Sequence, residues 1–309
     1  MIAENDLKGN ISSQLPKISI ITPSYNQGEF IEETILSVID QDYPNIEYII
    51  IDGGSTDNSI DIIRKYEDKI SYWVSEPDKG QTHAINKGLS KATGDIIAYL
   101  NSDDIYLPGT FGVIADYFNN NPIVDMIFGD IIHIDKMSNQ IEKVVREPII
   151  LDDLYGCCFY IPQPTVFLRK EIVEKIGNFD EILNLGMDLD YWIRLSFVGI
   201  IDYIPKTLAC ARIYPEAKSS ALSINYLDEH LKILNKNKCS LINSDKDDYF
   251  INNAYSSVYF NGGGVYLING YFISGFKQIL HSFKYSKSKP INLGIKYIKR
   301  LFFKYSKIF

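Results

Sequence analysis

Sulphur chemistry is nearly absent from this chain. Its 309 residues hold four cysteines, two of them adjacent (Cys157, Cys158), and none in the paired spacing of a zinc site. They read as thiols in a reducing compartment, and a disulfide-stapled scaffold is excluded. Glycine-rich phosphate loops are missing as well. After its first strand a dinucleotide fold needs G-x-G-x-x-G, where this chain has Pro23-Ser24-Tyr25-Asn26-Gln27-Gly28. It contains no P-loop, no H-E-x-x-H and no G-x-S-x-G, and the four histidines are scattered, with only His83 in a segment of functional character. The opening MIAENDLKGN has neither a basic nor an apolar leader region, so no secretory signal is expected. Residues 249–276 carry no charge, but Asn252, Asn253, Ser256, Ser257, Asn261, Gly262–Gly264 and Asn269 interrupt them, so no membrane span is expected there.

Acid is missing from the end of the chain. The last acidic residue is Asp248, and from Lys277 onward there are nine Lys or Arg and no Asp or Glu. The rest holds 22 basic against 39 acidic residues, so an acidic body carries a basic tail. On an ideal helix Ile291, Ile295, Ile298, Phe302, Tyr305 and Phe309 share one face. Lys296, Lys299, Arg300, Lys304 and Lys307 gather on the other, a pattern suited to an anionic membrane surface over residues 290–309. The competing reading is a helix packed on the protein body with its basic face in solvent. The acidic body and the lack of a recognised module exclude nucleic acid as the expected partner.

The remaining composition, 46% hydrophobic and 23% charged, is that of a globular protein. Residues 17–22 and 46–51 are β-branched runs that read as buried strands, and apolar residues between them recur at helical spacing, giving a βαβ unit. A helix near 57–67, a strand over 70–74, a helix over 83–91 and a strand over 95–100 continue the alternation. Residues 124–134 read as a strand with 141–146 as its hairpin partner, 150–168 as irregular, and 170–176 and 188–197 as helices. After about residue 220 helices are expected, separated by the polar stretch 236–248.

Polar clusters follow the strands, where open α/β sheets bind ligands. Tyr25 can stack on a nucleobase beside Ser24 and Asn26. Asp52 ends the second strand and opens Gly53-Gly54-Ser55-Thr56-Asp57, whose serine and second aspartate suit a turn and helix cap. Asn101-Ser102-Asp103-Asp104 places two adjacent carboxylates at a strand end, where they repel unless a cation or donor compensates. Oxygen ligands of this kind suit Mg²⁺ or Mn²⁺ on a diphosphate. In Gly186-Met187-Asp188-Leu189-Asp190 the two carboxylates cannot face the same way on a helix. One can serve as a general base while the other caps or pairs.

In order and spacing, ISIITPSYNQGEFIEETILSVIDQ, YIIIDGGSTDNS, EPDKGQTHAINKGLSKATGDIIAYLNSDD and GMDLDYWIRL resemble the family 2 glycosyltransferases over residues 17 to about 220. The resemblance implies an α/β GT-A nucleotide-diphospho-sugar transferase fold. The expected division is an extension over 1–16, a catalytic domain over 17–220 with its nucleotide half at 17–104 and its acceptor half at 105–220, and a helical region over 221–309. It also implies an inverting enzyme. Pro23, Ser24 and Tyr25 would line the nucleobase pocket, Asp52 would contact base or ribose, and Asp78 and Lys79 would lie beside the nucleotide with Asn86 supporting their helix. Asn101-Ser102-Asp103 would correspond to the metal motif, with Asp103 the direct ligand of Mn²⁺ or Mg²⁺ and Asp104 nearby, and Asp188 would be the catalytic base. The implied substrates are a nucleotide-sugar donor, by default UDP-linked, carrying a hexose or N-acetylhexosamine, and a lipid-linked sugar or polysaccharide acceptor. The implied place is cytoplasmic, peripheral on the inner membrane face. The chain departs from the family at Gly53, Asn101 and Met187, where acids are common, and at Tyr214, where histidine is common. The departures at Gly53, Asn101 and Tyr214 keep a non-catalytic sugar- or nucleotide-binding homologue open as the alternative.

Overall fold

The computed structural model describes residues 15–149, 154–156, 160–218, 223–243 and 247–294. The first strand, β1 (Ile18–Ser24), is followed by α1 (Ile31–Ile39), β2 (Ile46–Asp52), α2 (Ser59–Lys65), β3 (Tyr72–Ser75), α3 (Gln81–Leu89) and β4 (Ile96–Tyr99). Next come β5 (Ile105–Tyr106), α4 (Thr110–Asn120), β6 (Met126–Ile134), β7 (Gln140–Val144), β8 (Phe167–Arg169), α5 (Lys170–Ile176), α6 (Met187–Ser196) and β9 (Ile201–Arg212). Three helices follow: α7 (Tyr226–Asn243), α8 (Asp248–Ile268) and α9 (Phe272–Ser282).

These strands form one mixed sheet in the order β3-β2-β1-β4-β8-β6-β9-β5, with β7 paired to β6. β3, β2, β1 and β4 run parallel, whereas β8 is antiparallel to β4 and β6. Period-2 alternation explains why β1, β2 and β4 are apolar almost throughout. Ile20, Tyr48, Ile50, Ile96 and Ala98 pack on the face covered by α1 and α4. Ile21, Ile49, Ile51, Ile97 and Tyr99 pack on the other, with α3, α6 and residues of α7 and α8 such as Leu234 and Val258. A strand buried on both faces has no room for a polar side, as parallel sheets require. Because β2 and β4 flank β1, the chain reverses direction of winding there, and the loops after these three strands gather at one edge.

The structure departs from the sequence reading in its second half. Helix α4 lies where no element was assigned, with Phe111, Ile114, Ala115 and Phe118 buried at helical spacing. Strand β8 begins within the stretch 150–168 expected to be irregular, and α7 runs through much of the polar stretch 236–248. In the 12-residue β9, Pro205 interrupts the alternation that marks a strand. Its pairing with β6 steps from Gly129↔Ile204 to Asp130↔Thr207, so Pro205 and Lys206 sit in a bulge where no ladder donor is needed. No described helix is long and apolar enough to cross a membrane. Cys157 and Cys158, the first 14 residues and all of the basic tail from Ile295 lie outside the described residues.

Candidate active site

The loops after β1, β2 and β4 meet the start of α6 and the segment after β9 around a cleft of about 810 Å³, a volume typical of small-molecule sites. Pro23, Ser24, Tyr25, Asp78, Ser102, Asp103, Asp104 and Asp188 all line it. Asp52 and Lys79 are not among its lining residues.

The β1 side combines a free ring with a buried hydroxyl. Tyr25 is 60% exposed at the strand end. Ser24 Oγ is buried without a hydrogen-bond partner among the described residues, an arrangement that favours a polar ligand atom against it. Asp52 is fully buried and its carboxylate is already occupied. It accepts from Gly54 N (3.1 Å), Ser55 N (2.8 Å), Ser55 Oγ (2.5 Å) and Ser75 Oγ (2.7 Å). It therefore fixes the 53–57 turn, which in turn holds the β1 loop through Ser55 Oγ on Asn26 N and Asp57 on Gly28 N. Gly53 follows from the same crowding. A Cβ there would lie 2.9 Å from Asp78 Oδ2, so an acid at 53 would meet both the atoms and the charge of Asp78. His83 lies outside the cleft lining and accepts from Lys79 N at 3.4 Å. Asn86 bonds both backbone groups of Phe179, tying α3 to the segment before α6.

The floor is a hydrogen-bond chain. Lys218 Nζ donates to Gln81 Oε1 (2.8 Å), Gln81 Nε2 to Asn101 Oδ1 (2.6 Å), and Asn101 Nδ2 to Asp104 Oδ2 and Gln163 Oε1 (both 3.3 Å). An aspartate at 101 would reverse the last two contacts into repulsion, so asparagine suits its neighbours. Burial raises the pKa of Asp103, against a hydrogen bond from Tyr214 Oη (2.8 Å) and the charge of Arg212. Burial and then the charge of Asp103 hold Asp104 well above the usual carboxylate range. Each carboxylate thus favours a nearby positive charge.

No group of three or more His, Cys, Asp or Glu among the described residues converges as a metal cage. The donor set nevertheless fits a hard divalent cation of the Mg²⁺ type, which takes one or two carboxylates and completes its shell with phosphate oxygens and water. Asp103 would hold it, with Asp104 behind.

Asp188 occupies the first turn of α6, facing the cleft. Burial pushes its carboxyl up to about 6, against the Leu189 N–H and the Lys218 ammonium, which pull it down. Asp190 faces the other way, fully buried, and pairs with Arg194 (2.9 Å), Lys236 (2.9 Å) and Asn237 (3.1 Å).

Three contributors escaped the sequence reading. Lys218 is one of two cations lining the cleft among the described residues, and burial lowers its pKa. The other, Arg212, is spent internally, donating to Asp103 O, Asp135 O, Lys136 O, Ser138 Oγ and Glu33 while lying 4.8 Å over the Phe30 ring. Glu229 of α7 accepts from the backbone N–H groups of Asn184, Leu185 and Gly186 at 2.7–3.0 Å, holding the turn that opens α6. No local pattern marks a lysine or glutamate for such roles. Met187, where the family often has glutamate, accepts from Thr82 Oγ1 through its sulfur.

The family model "Glycosyl transferase family 2" matches residues 19–177. An uncharacterised glycosyltransferase of Nostoc is 32% identical over 211 residues, covering 64% of this chain and 65% of that protein. Among solved structures, S. aureus TarS in complex with UDP-GlcNAc superposes with a TM-score of 0.66 at 18% identity, over 86% of this chain and 79% of that one. A Pyrobaculum calidifontis mannosyltransferase in complex with GDP-Man and Mn²⁺ gives 0.59 at 16% identity, over 93% and 81%. The family match spans half of the chain and takes in the β1, β2 and β4 loops on which the cleft is built, and the chain belongs to glycosyl transferase family 2, with the GT-A fold.

Proposed function

We propose that this glycosyltransferase inverts configuration as it moves a hexose or N-acetylhexosamine from a nucleotide-diphospho-sugar, by default UDP-linked, to a hydroxyl of a lipid-linked or polysaccharide acceptor. The observation that carries this reading is that Asp103 and Asp188, 85 positions apart, line one cleft, with the carboxyl of Asp188 raised to about 6. The nucleotide-sugars bound by the two solved relatives support the donor class.

Tyr25 stacks on the base while Pro23 and Ser24 shape its pocket. Asp52 acts through the rigid turn it holds, and Asp78 and Lys79 flank the nucleotide. Asp103, with Ser102 and Asp104 alongside, would hold Mn²⁺ or Mg²⁺, which when bound would supply positive charge against the diphosphate. Lys218 adds a second positive charge from the opposite end of the floor chain. Apart from Arg212, whose guanidinium is engaged internally, the other charged residues lining the cleft among the described ones are acidic (Asp78, Asp103, Asp104, Asp188 and Glu216), so a dianionic diphosphate needs both. Asp188, ionised above about pH 6, takes the proton of the acceptor hydroxyl as that oxygen attacks the anomeric carbon. The bond from that carbon to the diphosphate breaks on the opposite face, which inverts the centre. The acceptor is met at the cytoplasmic membrane face, where residues 290–309 add basic charge.

Asp188→Asn is expected to lower kcat by about 10³-fold while leaving the calorimetric affinity for the nucleotide unchanged. Equal losses in both would remove Asp188 from the role of base. Titration of UDP, GDP and dTDP with and without Mn²⁺ identifies the donor class, and metal-independent curves that Asp103→Ala leaves unaltered would rule out the metal role.

A further inference from the structure

The hairpin of α8 and α9 ends in a surface that the remainder of the described chain leaves bare. Gly263 and Gly275 meet where the two helices cross. A Cβ on either would lie 2.9 Å from the carbonyl oxygen of the other, so the helices touch backbone to backbone. Ser256 Oγ donates to Ser282 O at 2.9 Å and secures the far end. This packing commits the Gly275, Ile279 and Ser282 side of α9 to the protein and turns its opposite side outward.

At about 100° per residue, Phe272, Ile273, Phe276, Leu280 and Phe283 fall within one arc of roughly 100°. They are 64%, 88%, 59%, 69% and 38% exposed, and Ile268 (88%) and Tyr271 (54%) extend the surface around the hairpin tip. Single exposed apolar residues are ordinary, but a contiguous face of this kind marks an interaction site.

Charge selects the occupant. Exposed Lys277 and Lys284 border the arc, Lys287 and Lys289 follow, and no acidic residue occurs after Asp248. Asp248 opens α8 at the end away from the tip, about 30 Å along the helix axis. A second copy of this face would set lysine against lysine across an isologous contact, which is unfavourable. An anionic lipid surface meets both halves of the pattern. Aromatic and aliphatic side chains enter the boundary between headgroups and acyl chains, and the lysines meet the phosphates.

We propose that the outward face of α9, with the tip at Ile268–Ile273, docks this protein on an anionic bilayer surface. The proposal rests on the membrane reading above and deepens it, moving the apolar contact from the basic tail to the α8–α9 hairpin.

Co-sedimentation of the full chain with phosphatidylcholine vesicles, and with vesicles that also contain phosphatidylglycerol, tests it. Binding is expected on the anionic vesicles. The double substitution Phe276→Ser with Leu280→Ser should lower partitioning by about tenfold or more, with nucleotide affinity unchanged. Lys277→Glu and Lys284→Glu should each lower it about fivefold on anionic vesicles alone. These lysines are exposed, so their reversal keeps the test decisive should the serine variant fold badly. Wild-type protein that binds neither vesicle would overturn both the membrane reading and this proposal. Binding that ignores every α9 substitution would overturn this proposal alone. A dimer in size-exclusion chromatography that Phe276→Ser with Leu280→Ser splits, without vesicle binding, would assign the face to a second copy instead.

Discussion

Asp188 and Asp190 lie two positions apart on α6 and have opposite surroundings. Asp190 is paired with two cations and an amide, whereas Asp188 is pressed into the cleft with backbone N–H groups, that of Leu189 among them at 2.8 Å, as its hydrogen-bond donors among the described residues. Its carboxyl is raised from 3.8 to about 6, so the folded state holds the proton more tightly than the unfolded chain does. Stability contributed by the protonated form is present below pH 4 and lost as pH rises through 6, at a cost approaching about 3 kcal/mol above pH 7. Asp188→Asn should remove that cost. It is expected to be more stable than the wild type by about 2–3 kcal/mol at pH 8 and nearly equal to it at pH 3, as read from urea melts at the two values. In the wild type, kcat/KM should rise tenfold per pH unit below about 6 and level off above it, because the base must be ionised. A flat profile between pH 5 and 7 would contradict that assignment. That the two aspartates diverge was legible from helix periodicity, whereas Asp188 as the one facing the cleft rested on the family resemblance.

At the scale of elements, Arg212 at the end of β9 is the joint between parts of the sheet remote in sequence. Its guanidinium, 1% exposed, binds the loop after β4, the turn between β6 and β7, and Glu33 of α1, while its backbone N–H donates to Asp104 at 3.0 Å. Arg212→Met should destabilise the fold by about 3 kcal/mol, since it leaves buried carbonyls and Asp104 without their positive partner. It should also weaken nucleotide binding by loosening the Asp103 loop. Chemical melts and calorimetry on the same preparation check both, and a variant of wild-type stability would show that the guanidinium is not a structural joint. β9 itself was hard to read because a proline-containing bulge breaks the alternation that announces a strand. The first four strands were easy to read, since unbroken β-branched runs between helical patterns have few other solutions.

Across the whole molecule, the C-terminal helices form part of the site. Glu229 on α7 binds three consecutive N–H groups ahead of α6, and Lys236 and Asn237 fasten Asp190, so Asp188, the proposed base, is aimed by residues about 40 to 50 positions downstream. Glu229→Gln keeps the shape but removes the charge and one acceptor oxygen. It should lower kcat about tenfold with nucleotide affinity unchanged and with the pH midpoint moved, because Glu229 also raises the pKa of Asp188. Glu229→Asp, which restores the carboxylate, should recover part of the rate. A loss confined to melting temperature would mark the residue as structural only. The hairpin beyond it illustrates the same dependence. Gly262–Gly264 read from sequence as an interruption of an apolar stretch, yet Gly262 faces Leu227 of α7 and Gly263 faces Gly275 of α9. Small residues within a helix mark close packing only when the partner helix is known.

Local pattern by itself determined the alternating strands and helices of the first hundred residues, the strand-end carboxylates and the basic, acid-free tail. Each of these is written in neighbouring residues, through a period of two or 3.6, a turn chemistry or a count of charge. Tertiary structure alone decided that Asp52 is consumed by its own turn, that Asp78 fills the space beside Gly53, that Lys218 reaches Asp104 through Gln81 and Asn101, and that Glu229 holds the loop ahead of Asp188. Those outcomes depend on which distant side chains share a volume, and a buried polar group takes whichever partner the fold places within about 3 Å.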